Sequence, residues 1–129
     1  MSYLWIAVGG ALGSVARFWM SNFVTARFGS SFPWGTLFVN VTGSLLIGIF
    51  AAMSESGGRL AGMITLRQFL VVGICGGYTT FSAFSVQTLD LMRAGNWPAV
   101  VGNVVASVLT CLVAVWLGHV IGAALTGRG

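Results

Sequence analysis

Apolar runs separated by short polar breaks divide the chain at about residues 3–23, 35–53, 68–92 and 99–125. Each is close to the ~20 residues a helix needs to cross a hydrocarbon core about 30 Å thick. The breaks carry turn and interface residues, with Gly29, Pro33 and Trp34 in one and Gly95, Asn96, Trp97 and Pro98 in another. The pattern predicts an all-α membrane protein, a single domain over residues 1–129 with four transmembrane helices.

Polar positions inside the runs are not scattered. Thr36, Asn40, Ser44 and Gly48 recur at every fourth residue and share one helix face. Asn103, Ser107, Thr110 and Ala114, at spacings of four, three and four, share a face on the fourth run. Gly9 and Gly13, and again Gly118 and Gly122, have the small-xxx-small spacing that lets helices approach closely. Arg17 lies deep in the first run, about 20 Å along a helix from Leu4. It either snorkels to the far interface or stands as a positive group at the mouth of an anion path.

The third run is the least regular. Gly76 and Gly77 are adjacent, and glycine weakens a helix by about 1 kcal/mol relative to alanine. Thr79 and Thr80 follow, then hydroxyls alternate with rings: Phe81, Ser82, Phe84, Ser85, with Thr88 a turn further on. Irregular backbone at membrane depth survives only when buried in protein or lining a cavity. The spacing predicts a third helix broken at Gly76–Gly77 beside a polar path. The alternative is a glycine kink that serves close packing, with the serines bonded to their own helix.

Composition agrees with a membrane location. The 129 residues are 57% hydrophobic and 6% charged, against about 25% charged in soluble domains. No positive segment precedes the first apolar run, so a cleaved signal peptide is not expected. The net charge of +4 comes from six dispersed basic residues, all arginine, which argues against a nucleic-acid surface. Cys75 and Cys111 lie in apolar runs and read as membrane thiols rather than a disulfide or metal pair. Asp90 and Arg93 are placed to pair, and His119 is a lone imidazole. Four spans put Arg59, Arg67 and Arg128 on one side, and Arg27, Arg93 and, if it snorkels, Arg17 on the other. That near-balance gives almost no vote on orientation, as in a chain that inserts both ways.

The runs hold no acid other than terminal Asp90, one His and no ligand spacing, so the chain is not expected to be an enzyme. A small proton-coupled multidrug-type exporter needs an acid within the membrane. A structural membrane subunit leaves the polar stripes unexplained. A passive path for a small anion fits better, because hydroxyl and amide donors, arginine and the positive edges of phenyl rings all favour negative charge. Phe81 and Phe84, at i and i+3, share a face, although such a pair taken alone more often packs against lipid or core.

These residues resemble the Fluc (CrcB-type) bacterial fluoride channels over nearly the whole chain. The resemblance is carried by Gly9-Gly10-Ala11-Leu12-Gly13 with Arg17, by Trp34-Gly35-Thr36-Leu37 with Asn40, and above all by the stretch from Gly76-Gly77-Tyr78 to Phe84-Ser85. It implies an antiparallel, dual-topology homodimer in the lipid of the bacterial inner membrane. Such a dimer has two pores and exports fluoride passively. It implies that Phe81, Phe84, Asn40 and Ser107 line the pore. Ser82, Ser85, Thr88, Asn103 and Thr110 are then expected along the polar track. It also implies a structural sodium ion at the dimer interface, held by the backbone carbonyls of Gly76 and Thr79. Ala83 and Asn103 depart from the residues often found at those positions.

Overall fold

The computed structural model describes residues 2–55 and 57–127, so Arg128 of the charge tally lies outside the described residues. All regular elements among them are helical. α1 (Ser2–Phe28) and α2 (Trp34–Ser54) are followed by a helical run made of α3 (Ile64–Arg67), a π-helical stretch (Gln68–Cys75) and α4 (Gly76–Tyr78). α5 (Phe81–Arg93) and α6 (Trp97–Leu125) complete the chain. Trp34–Ser54, Ile64–Arg93 and Trp97–Leu125 are long and apolar enough to cross a membrane. α1 matches them in length at 27 residues but is diluted by its glycines and Arg17.

Local chemistry sets the turns. Gly29 takes φ +88°, open to glycine at little cost, and its N–H closes α1 on the Thr25 carbonyl at 2.8 Å. Gly95 at φ +70° stops α5 in the same way. The Asn96 side chain then caps α6 by accepting the Ala99 N–H at 3.3 Å, with Pro98 in the first turn.

Close backbone approach governs the packing. α2 packs most extensively against α6, and α1 against the π-helical stretch and α4. A Cβ on Gly48 would meet the Val115 carbonyl, and one on Gly118 the Leu45 carbonyl. On the other side of the bundle a Cβ on Gly9 would lie 2.7 Å from the Phe69 carbonyl, and one on Gly77 2.5 Å from that of Gly10. Both small-xxx-small pairs therefore lie at helix contacts. His119 is not alone: its Nε2 meets Glu55 Oε1 at 2.8 Å and ties α6 to the end of α2. The expected Asp90–Arg93 pair does not form. Both side chains are exposed on the last turn of α5, where an ion pair is worth only about 0–1 kcal/mol against the entropy of holding it. Rows of large apolar side chains, among them Phe18, Trp19, Leu109, Leu112 and Trp116, remain exposed. Such a surface calls for lipid or another protein.

Candidate functional site

The third helical run leaves helical geometry not at its glycines but two residues later. Gly76 sits at φ −63°, ψ −37°, whereas Thr79 (ψ 158°) and Thr80 (φ −154°, ψ 116°) are extended. The expected interruption at Gly76–Gly77 is corrected accordingly. Gly77 is small because α1 crosses there, while Asn40 of α2 sets where the backbone opens. The Asn40 Oδ1 accepts the Thr80 N–H at 2.8 Å, and its Nδ2 donates to the Thr80 carbonyl at 2.9 Å. Thr80 Oγ1 in turn accepts the Ala83 N–H at 3.1 Å and caps α5. In a continuous helix those two N–H groups would serve the carbonyls of Gly76 and Thr79. With both donors taken by side chains, these two carbonyls lose their helical partners.

α5 opens onto a groove of about 440 Å³ walled by α2, α5 and α6, with Asn40, Thr80, Phe81, Phe84 and Ser107 among its lining. The Phe81 and Phe84 rings lie 5.3 Å apart, tilted by 43°, and Phe81 is 78% exposed. The start of α5, with its positive dipole end, borders the same space through Thr80, Phe81 and Phe84. Phenyl rings, an amide, hydroxyls and a helix N-terminus thus converge, and among the described residues no Asp or Glu lines the groove.

The remaining candidates divide into three groups. Ser107 Oγ donates to Asn103 Oδ1 at 3.4 Å, Asn103 Nδ2 to Thr88 Oγ1 at 3.0 Å, and Thr88 Oγ1 to the Phe84 carbonyl at 2.7 Å. Asn103 is 1% exposed, so this chain of bonds locks α5 to α6 behind the groove, with only Ser107 reaching its wall. Ser85 donates to the Phe81 carbonyl and Thr110 to that of Ala106, each turned onto its own helix, while Ser82 pairs with Thr80 Oγ1 at 3.1 Å. Arg17 lines a separate cavity of about 220 Å³ beside Thr36, Thr80 and Gln87.

Thr80, Cys111 and Gln87 were missed from the sequence. Cys111 lies one turn beyond Ser107, so the polar spacing on α6 held its signal. Thr80 had none, because its role depends on Asn40 from another helix. No three His, Cys, Asp or Glu gather among the described residues.

The CrcB-like protein family, described as camphor resistance (CrcB), matches residues 4–119 of this chain. A relative from Opitutus terrae is 56% identical over 92% of this chain and 89% of its own length. Relatives from Rhodospirillum rubrum (52%; 100% of this chain, 99% of the relative) and Methylocella silvestris (51%; 97% and 95%) cover nearly everything. All three are named fluoride-specific ion channel FluC.

Proposed function

The chain belongs to the CrcB-like family, and on that premise we propose that it is a fluoride-specific ion channel that lets fluoride leave the cell down its gradient. The observation that carries this reading is the convergence of Asn40, Ser107, the Phe81–Phe84 edges and the α5 N-terminus on one groove. The α5 N-terminus and the phenyl edges carry positive partial charge, the Asn40 amide keeps one N–H beyond its bond to Thr80, and Ser107 becomes a donor only when its hydroxyl turns from Asn103. The groove holds no carboxylate to couple flux to protons, which disfavours an exporter. In the proposed pore Phe81, Phe84, Asn40 and Ser107 face the ion. Asn103 and Thr88 hold that wall in place, and Arg17 draws anions to the vestibule. Ser82, Ser85 and Thr110 contribute only when their hydroxyls turn away from their present partners.

The assembly belongs to the same proposal: four spans with the third broken, paired with an antiparallel second copy in the bacterial inner membrane. Balanced arginines and the exposed apolar faces support it. The residues present also fit a structural sodium ion. The Gly76 and Thr79 carbonyls, relieved of their helical donors, are hard oxygen ligands of the type such a cation takes. The ion would supply positive charge near the two-fold axis, and the chain's part is to hold those carbonyls out of the helix through Asn40 and Thr80.

Purified protein in fluoride-loaded liposomes tests the function. Fluoride should leave once an ionophore dissipates the voltage, with no pH gradient imposed. Efflux that requires a proton gradient would instead support the exporter reading.

A further inference from the structure

The outer side of α1 carries a stripe that the proposed pore does not use. Trp19, Phe23 and Arg27 follow at every fourth residue and so share one helix face. That face lies nearly opposite Ser21 and Thr25, which pack against Gly35 of α2. Trp19, Phe23 and Arg27 are all exposed. The two rings stack at 5.8 Å between centroids, with 18° between their planes. The Arg27 guanidinium carbon lies 5.7 Å from the Phe23 centroid. The three side chains form one ledge, apolar along its length and cationic at one end.

Depth in the membrane decides what such a ledge takes. Arg27 stands in the last turn of α1. α2 and α6 run parallel, with Leu45 against Gly118 and Ile49 against Gly122. Both therefore start at the end where α1 finishes, with the exposed Trp34 and Trp97. Tryptophan collects at the headgroup level. From Arg27 back to Trp19 is about 12 Å along the helix, most of the ~15 Å of hydrocarbon in one leaflet. The charged end is thus at the headgroups, and the rings run inward at the depth of the acyl chains. The guanidinium has no carboxylate partner among the described residues. Its planar fork of N–H donors matches two oxygens of a phosphodiester, and stacking on Phe23 holds it pre-oriented. An arginine without a nearby acid favours a lipid of net negative charge over a zwitterionic one of the same shape.

We propose that this stripe is a binding site for an anionic phospholipid such as phosphatidylglycerol, with the phosphate on Arg27 and an acyl chain laid along Phe23 and Trp19. The site is independent of whether the chain conducts fluoride.

Native mass spectrometry of the purified protein in detergent tests it, with phosphatidylglycerol and phosphatidylcholine of identical chains in competition. Micelles impose no orientation, so the arginine balance of the loops plays no part. The wild type should retain phosphatidylglycerol about fivefold over phosphatidylcholine, the preference that one arginine near an anionic surface supplies. Arg27→Gln should lose most of that preference. Arg27→Lys, which keeps the charge without the fork, should fall between. Phe23→Leu removes the stacking ring and should lower retention of phosphatidylglycerol by about two- to fivefold. Equal retention of both lipids by the wild type, or an unchanged preference in Arg27→Gln, overturns the site. Displacement of the lipid by an equal concentration of glycerol phosphate would assign Arg27 to a soluble phosphate instead. A smaller species for Arg27→Gln on size exclusion would assign the stripe to a contact between subunits.

Discussion

At the scale of single residues the site turns on Asn40, whose amide engages both backbone groups of Thr80. Asn40→Leu leaves an N–H and a carbonyl bare, at about 1–3 kcal/mol each. A lower melting temperature, together with fluoride flux reduced at least tenfold, is the expected outcome, measured by thermal unfolding in detergent and by liposome efflux. Asn40→Asp keeps an acceptor for the Thr80 N–H but sets a charge beside the path. At 4 Å and an effective dielectric of ~20 that charge repels an anion by about 4 kcal/mol, so flux should fall sharply. Phe81→Ile and Phe84→Ile retain apolar bulk without the positive ring edge. Each should lose most of its flux while eluting on size exclusion as the wild type does. Unchanged flux would assign the two rings to packing.

Among the helices the decisive feature is how closely α1 crosses the third run. An alanine Cβ at position 77 would press on the Gly10 carbonyl at 2.5 Å, whereas at position 76 it finds nothing nearer than the Val71 carbonyl at 3.9 Å. Gly77→Ala should therefore cost about 1–3 kcal/mol through overpacking. Gly76→Ala should be neutral or stabilise by up to about 1 kcal/mol through helix propensity. Thermal melts of the two variants side by side check this. Equal effects would mean that α1 can move away without cost. The same comparison separates a packing role for the glycines from the bond-breaking role of Asn40 and Thr80.

For the whole molecule, the proposed assembly is two copies inserted in opposite senses. Reporters fused to the C-terminus should be found on both sides of the membrane, and added arginines in one set of loops should bias the population. One orientation throughout would refute dual topology. Exhaustive exchange of sodium for a large organic cation should lower flux and weaken the dimer. If neither changes, protein or water satisfies the Gly76 and Thr79 carbonyls.

Much of this was legible along the chain, because membrane helices must satisfy their own backbone and so announce themselves as long apolar runs. Periodicity alone put Asn40 on a polar face and placed Gly9, Gly13, Gly118 and Gly122 at contacts. The motif from Gly76 to Ser85 pointed to the family. Other features depended on partners distant in sequence. The opening of the backbone falls at Thr79–Thr80 because Asn40, forty residues away, captures the Thr80 amide, and glycine propensity carries no record of that bond. The sequence placed Asn103 and Thr88 on polar faces, but that their side chains bond to each other across α5 and α6 and are buried depends on how those helices meet. His119 looked solitary until α6 came to rest beside the end of α2 and Glu55. One-dimensional pattern determines which residues share a helix face; which of those faces meet, and therefore which polar groups remain free to hold an ion, is decided only when the helices pack.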